Sequence, residues 1–344
     1  MKISVAIATY NGASYLREQL ESISNQRHLP FELVACDDGS TDETIEVLTT
    51  YSQTAPFPVR LYRNETNLGY AENFLKAARL CKGEWVAFCD QDDVWLPNKL
   101  DDARSAIEKD DRPIMVLQNA YICDEHLKHS DRLFPNRLKK GYYAPHSQYG
   151  FWVWLGFLQT VRSDIFHLSN SQKLPSNYFP GHQQMSHDKW TCLIANTVGG
   201  FQVVDEPAAL YRRHPQAATG AYIRKNFATR IMESIPVPGE HYRFLSGVAE
   251  ETKKYLNEMA HHAGVDTKPS FEKSARAFQR ISQIQEARAQ LYNVASFTAR
   301  AERFIKIMTI GGYIGPSNFA LGWKSAAKDL MCVAGILASS RKDV

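Results

Sequence analysis

Strand and helix signals alternate through residues 1–110, and no other property of the chain limits its fold as strongly. Apolar residues alternate at Ile3, Val5 and Ile7. A turn-like Thr9-Tyr10-Asn11-Gly12 follows, and Leu16, Leu20 and Ile23 then recur at the spacing of one helix face. Phe31–Cys36 predicts a second strand running into Asp37-Asp38-Gly39. Ser40 and Glu43 have the spacing of a capping box, opening a helix that carries Ile45 and Leu48. Val59–Tyr62 predicts a third strand, and the loop RNETNLGYAENF leads into a helix through Ala71, Phe74, Leu75 and Ala78. Trp85–Phe88 predicts a fourth strand, and Leu96, Leu100, Ala103 and Ile107 mark the next helix. Strands joined by helices of this length form right-handed βαβ units. The expected class is therefore α/β, a Rossmann-like, mostly parallel sheet flanked by helices.

Further strands are expected at Ile114–Leu117 and Phe201–Val204, while residues 130–150 are turn-rich and aromatic and read as a loop lining the substrate. From about residue 221 the pattern turns helical. Leu245, Val248, Tyr255, Leu256 and Met259 suggest one helix, and Phe278, Ile281, Ile284, Leu291 and Val294 a second. The expected organisation is a catalytic domain over 1–220 and a helical C-terminal region over 221–344. Charge divides at the same point: 22 Lys+Arg against 26 Asp+Glu in the first part, 18 against 11 in the second. A mildly acidic part suits a metal-using site, and a basic part suits an anionic surface. That basic excess is too dilute for nucleic acid.

The six cysteines include no C-x-x-C pair, which argues against a structural zinc and for reduced thiols in a cytoplasmic protein. The N-terminus enters a strand directly, so no secretion signal is expected. Ile307–Trp323 and Leu330–Ser340 are uncharged or nearly so and follow basic residues; both are read as core helices, with peripheral contact at the inner face of the plasma membrane as the alternative.

Three polar loops follow the first, second and fourth predicted strands: Thr9–Gly12, Asp37–Gly39 and Asp90–Asp93. In a parallel sheet all three open on the carboxyl edge, where α/β proteins bind ligands. Taken singly, Asp90-Gln91-Asp92 is a solvated turn and Asp37-Asp38-Gly39-Ser40 a turn with a helix cap. Taken together they form one site. Carboxylates spaced one residue apart can hold a hard divalent cation, which in turn holds phosphate oxygens. Neither a G-x-G-x-x-G nor a P-loop sequence is present.

The runs VAIATYNGASYLREQLESISNQ, FELVACDDGSTDET, NLGYAENF and the DQDD stretch, in that order, resemble family 2 glycosyltransferases of the inverting GT-A type. SHDKW…DEPAALYRRHPQAATG resembles the bacterial rhamnosyltransferase-like branch of that family. The resemblance implies a nucleotide-diphospho-sugar donor, a divalent cation (Mn2+ or Mg2+) and inversion at the anomeric carbon. It assigns Thr9, Tyr10 and Asn11 to the first nucleotide-binding loop, and Asp38 with Asp37 to the acid that accepts the N3–H of uracil or thymine. It assigns Asn67, Gly69 and Asn73 to a loop near the nucleoside. Asp90 and Asp92 match the metal-binding Asp-x-Asp, with Gln91 between them on the donor side.

By the same resemblance Asp188 is the base that takes the proton of the acceptor hydroxyl. Most relatives have Glu-Asp where this chain has His187-Asp188. The simpler reading of Asp188 is a cap on the helix Lys189–Ala195, and the two roles are compatible. His214 is expected on the metal or the diphosphate, and Arg212 or Arg213 on phosphate oxygens. Tyr149, Phe151, Trp152, Trp154 and Phe157 are expected mostly in the core, with acceptor stacking as the alternative. The partners implied are a nucleotide-sugar and a glycan or polyprenyl-diphosphate-linked acceptor. The competing readings are a catalytically inactive GT-A-like scaffold subunit, a nucleotidyltransferase lacking the expected Gly-rich basic loop, and a phosphohydrolase built on His187-Asp188 that lacks further metal-binding histidines.

Overall fold

The structure is a computed structural model and describes residues 1–135, 138–168, 173–179, 184–214 and 239–336. The first strands form where the alternation places them: β1 (Ile3–Thr9), β2 (Glu32–Asp37), β3 (Val59–Arg63) and β4 (Trp85–Cys89) pair in parallel in the order β3-β2-β1-β4. Helices α1 (Ala13–Ser24), α2 (Thr44–Thr54) and α3 (Tyr70–Leu80) make the crossovers, and α4 (Lys99–Lys109) follows the acidic loop. Every residue of β1, β2 and β4 is buried, as continuous apolar strands covered on both faces must be.

The rest of the sheet is mixed. β9 (Gln159–Arg162) lies antiparallel to β4 and to β6 (Met115–Cys123), and β10 (Phe201–Arg212) runs parallel to β6. A two-residue strand after the acidic loop, β5 (Val94–Trp95), closes the far edge against β10. Short strands β7 (His129–Arg132) and β8 (Gly141–Tyr143) occupy the stretch expected to be loop, pairing with β6 and β10. Strand β10 outlasts the expected Phe201–Val204 because its register shifts on either side of Pro207. Such an irregularity absorbs the missing N–H of a proline, so pairing resumes beyond it. The capping box does not form. Helix α2 starts at Thr44, whose N–H and hydroxyl donate to Asp42 Oδ1, while Ser40 turns toward Asp37. Helix α5 (His187–Val198) is the last helix of this part among the described residues.

Two compact units result: Met1–Pro145 with Val153–Gln172 and Ser186–Tyr222, and His146–Trp152 with Lys173–Met185 and Ile223–Val344. The boundary expected near 220 falls outside the described residues.

In the second unit α6 (Gly239–His262) and α7 (Lys268–Asn293) pack through Tyr242, Val248, Leu256, Phe271, Phe278 and Ile281. Helices α8 (Phe297–Thr309) and α9 (Trp323–Val333) complete it. Ile307–Trp323 is not a core helix. It is the end of α8 and an irregular connection, because Gly311, Gly312, Gly315 and Pro316 interrupt it. Residues 337–340 of the other apolar stretch lie outside the described residues. No described helix is long and apolar enough to cross a membrane.

Of the aromatic cluster, Trp154 and Phe157 are buried, with Trp154 Nε1 donating to Gln118 O at 2.8 Å. Phe151 packs on Phe278 with ring centroids 5.6 Å apart.

Candidate active site

Parallel register sets Thr9 beside Asp37 and Ile7 beside Cys89, so the loops after β1, β2 and β4 leave from one edge. Asp37 is fully buried and saturated. Its carboxylate accepts from Gly39 N (3.1 Å), Ser40 N (2.9 Å), Thr9 Oγ1 (3.0 Å) and the Ser40 hydroxyl. A carboxylate offers about four lone-pair sites. Asp37 and the Thr9 side chain, both assigned to the nucleotide by the resemblance, knit the two turns together here. Ser40 Oγ also accepts from Asn11 N at 2.9 Å, and Asn11 Oδ1 accepts from Thr41 N at 2.9 Å, with Asn11 at φ 47°.

Asp38 holds the third loop. It accepts from Asn64 Nδ2 (2.7 Å) and Leu68 N (2.8 Å) on Oδ1 and from Gly69 N (2.8 Å) on Oδ2. Gly69 takes φ 77°, a conformation that L side chains avoid. Asn67 caps the turn through Gly69 N and Asp38 O. Asn73 is buried, with Nδ2 on Cys36 O and Oδ1 on Asn64 Nδ2 at 2.8 and 2.9 Å. It orients Asn64, which itself donates to Asp38.

Gln91 joins the acidic loop to the first turn by two hydrogen bonds, accepting from Tyr10 N at 2.9 Å and donating to Tyr10 O at 3.1 Å. Only glycine fits beneath it: a Cβ on Gly12 would sit 2.2 Å from Gln91 Oε1. The Tyr10 side chain stays exposed.

One carboxylate oxygen from each of Asp90, Asp92 and Asp93 lies within 4.8 Å of the others. Asp90 keeps some exposed surface, but the packing around its carboxyl, then the charges of Asp92 and Asp188, push its pKa up to about 8. Asp93 is fully buried and likewise raised well above the usual carboxylate range, first by burial; Oδ1 accepts from Arg212 N at 3.0 Å and Oδ2 has no hydrogen-bond partner. Three crowded carboxylates with an orphaned buried oxygen fit a hard cation such as Mg2+ or Mn2+. Lys99 is buried behind them with Nζ on Phe157 O at 2.8 Å; burial lowers it to about 8 while the acids oppose the fall.

His214 Nε2 lies 3.0 Å from Asp92 Oδ2, its ring against Tyr15 with centroids 4.4 Å apart. Arg212 is corrected from phosphate ligand to clamp. Buried, it donates through Nε to Asp92 O (2.9 Å), through Nη1 to Glu125 O (2.7 Å) and through Nη2 to Glu18. Arg213 Nη1 donates to Tyr211 OH at 2.6 Å.

Asp188 comes to this edge from the first turn of α5, a position that favours an anion. Oδ1 accepts from Lys189 N (2.8 Å) and the Ser186 hydroxyl; among the described residues no hydrogen bond falls on Oδ2. The N-cap is Ser186, not Asp188. His187 is buried between Phe74 and Phe88, with centroids 4.1 and 4.8 Å away, and neither ring nitrogen has a hydrogen-bond partner. Burial lowers it to about 4, so it is neutral. Gly156 admits it: a Cβ there would lie 2.3 Å from Nε2. Gly12 and Asp93 lie inside loops that the sequence marked but were given no role of their own, and Glu18 and Lys99 carried no local signal.

An open, mostly parallel sheet whose carboxyl edge gathers these loops and acids is a GT-A type of glycosyltransferase fold. S. aureus TarS, residues 1–349 in complex with UDP-GlcNAc, shares it with a TM-score of 0.56 at 18% identity, over 91% of this chain and 93% of that one. Residues 4–166, just under half of the chain, match the model of Glycosyl transferase family 2. Among curated relatives, an uncharacterized glycosyltransferase of Nostoc sp. is 42% identical over 100 residues, 29% of this chain and 31% of the relative. The abequosyltransferase RfbV of Salmonella typhimurium is 37% identical over 102 residues, 29% of this chain and 31% of the relative. The matches span only 31–40% of the length of the first three curated relatives.

Proposed function

We propose that this protein is an inverting, metal-dependent glycosyltransferase. It moves a sugar from a UDP- or dTDP-sugar, dTDP-rhamnose among them, to a hydroxyl of a glycan or polyprenyl-diphosphate-linked acceptor in bacterial surface polysaccharide synthesis. The observation that carries the reading is the meeting of two acids far apart in sequence: Asp188 on α5 is close enough to raise the pKa of Asp90 at the end of β4. One group can then serve the acceptor while the other serves the donor.

Residues 1–220 form the catalytic part in this reading, and 221–344 contact acceptor, membrane surface or another copy. The Asp38 carboxylate accepts three hydrogen bonds from its own loops, which leaves a lone pair on Oδ2 for the N3–H of a pyrimidine. Tyr10, Asn11, Asn67 and Gly69 frame the nucleoside around it, and Arg213 faces the diphosphate. Asp90, Asp92 and Asp93 would hold a divalent cation, with His214 as a further ligand. Bound there, it would neutralise charge on the leaving diphosphate. Asp188 Oδ2 takes the proton of the acceptor hydroxyl as its oxygen bonds to the anomeric carbon and the carbon–diphosphate bond breaks, help typically worth about 10²–10⁴-fold. His187, neutral and packed on Phe74 and Phe88, holds the start of α5 without adding charge beside the base. The protein would work in the cytoplasm, peripherally at the inner face of the membrane.

The UDP-GlcNAc complex of TarS puts UDP-sugars first in a donor panel measured with and without manganese, and RfbV adds abequosyl donors. Asp188→Asn should bind the donor as the parent does and lose transfer. Undiminished transfer by Asp188→Asn would remove the base assignment. A parent chain that binds donors but transfers none, with any acceptor supplied, would instead favour the scaffold reading.

A further inference from the structure

Helix α9 buries a charge and leaves large apolar side chains in solvent. Asp329, on its inward side, is fully buried and accepts from Arg288 Nε and Nη2 (both 2.8 Å), Tyr292 OH (2.9 Å) and Tyr313 OH (2.7 Å). Cys332 and Val333 flank it in the core of this unit. Four hydrogen bonds on one carboxylate fix the helix's rotation about its axis. At 3.6 residues per turn, Trp323, Ala327, Leu330, Met331 and Ala334 must then face outward, and all five are exposed. Trp323 is 75% exposed and Leu330 53%. A surface helix ordinarily turns its polar face to water.

The neighbouring α8 repeats the pattern. Phe297, Ile305 and Met308 are exposed on it, and Ile314 beyond it is 87% exposed. Arg300 of α8 donates to Cys332 O of α9 at 3.2 Å, which ties the two helices together. The charged rim is one-sided. Arg303, Lys306, Lys324 and Lys328 lie among residues 294–336, and Glu302 is the only acid there outside the buried Asp329 pair. Lys324 Nζ lies 5.9 Å from the Trp323 ring.

We propose that the exposed faces of α8 and α9 form a docking surface for an anionic lipid bilayer. Protein interfaces deplete lysine, whereas a tryptophan flanked by lysines suits the headgroup boundary, where the ring buries and the ammonium groups meet lipid phosphates. An eleven-residue helix is far too short to span and would lie in the plane of the interface. The surface goes beyond the transfer reaction and does not depend on it.

The test is flotation of the full chain with phosphatidylcholine vesicles, with and without phosphatidylglycerol, at low and high salt and without donor. Binding should require phosphatidylglycerol and weaken at high salt. Trp323→Ser/Leu330→Ser should lose at least about tenfold, and Lys306→Gln/Lys324→Gln about fivefold or more, near the contribution of one basic residue at an anionic surface. Both change exposed positions, and UDP binding by each should equal that of the parent, which checks folding. Absence of flotation with phosphatidylglycerol vesicles, or unchanged flotation of the Trp323/Leu330 double variant, overturns the proposal. So does a dimer in light scattering that this variant dissociates, which would assign the face to a second copy. Because flotation needs no sugar transfer, failure of either proposal leaves the other standing.

Discussion

Gly12→Ala tests whether the donor site is held together by Gln91. Gly12 has φ −106° and ψ 7°, which alanine adopts without strain, so the backbone does not object. The new methyl would lie 2.2 Å from Gln91 Oε1. Gln91 is the far end of a flexible side chain and can swing away, so the fold should survive, with about 0.4–1 kcal/mol gained from a stiffer unfolded chain partly offsetting the bonds given up. The bridge is lost, however: Tyr10 N→Gln91 Oε1 at 2.9 Å and Gln91 Nε2→Tyr10 O at 3.1 Å. Each such bond contributes about 0.5–1.5 kcal/mol, so the first turn and the acidic loop lose about 1–3 kcal/mol of mutual positioning. At 1.4 kcal/mol per decade, UDP affinity measured by calorimetry with manganese should fall between about fivefold and a hundredfold. Gln91→Ala should fall as far, and Gly12→Ala should add nothing in the Gln91→Ala background. Wild-type affinity in Gly12→Ala, or full additivity in the double variant, would refute the reasoning.

Asp329→Asn leaves Arg288 buried without its counter-charge and should lower unfolding free energy in urea by about 3–5 kcal/mol; a loss under 1 kcal/mol contradicts the reading. His187 and His146 are both lowered to about 4, first by burial, so the unfolded chain takes up their protons earlier as pH falls. Their contribution is complete above about pH 6.5 and is lost toward pH 4, at about 3 kcal/mol for the fully buried His187 and less for the half-buried His146, where solvent screens the charge. His187→Leu should therefore flatten the fall in stability between about pH 7 and pH 4.5, and an unchanged profile counts against it. All six cysteines are buried thiols, with burial raising Cys36 to about 11 and Cys123 to about 12. Iodoacetamide at about pH 8 should label none in the native protein and all in denaturant, as read by mass spectrometry.

The βαβ part of the fold was legible because strand and helix periods alternate cleanly there, and the carboxyl-edge loops follow from parallel pairing alone. What each acid in those loops does was not legible. Asp37 and Asp38 are neighbours in sequence, yet one is saturated by its own turn and Thr9, while the other holds a loop some thirty residues on and keeps a free lone pair; only the packed loops distinguish them. Arg212 looked like a phosphate ligand because its chemistry suits one, but its partners are a carbonyl in each of two distant turns and Glu18. The capping box at Ser40 lost to a stronger local acceptor, Asp37. Strand β5 is two residues long and has no periodicity to read. The exposed apolar face of α9 was hidden because a helical wheel shows which residues share a face, not which face is turned inward; Asp329 decides that through Arg288 on α7 and Tyr313 in the connection before α9.

The clamp by Arg212 also dates the site within the life of the chain. Asp92 and Asp93 leave the ribosome well before the residue that pins them, 119 and 120 positions later. Strand β10 must first slot between β6 and β5, and until then the acidic loop has neither its main-chain donor nor its guanidinium. Closure across that sequence distance is entropically slow, so the catalytic edge is among the last parts to mature. A nascent chain arrested before residue 212 would have the first four strands in register and an unfinished acidic loop. Any fragment truncated there should fail to bind a divalent cation, however well its sheet is formed.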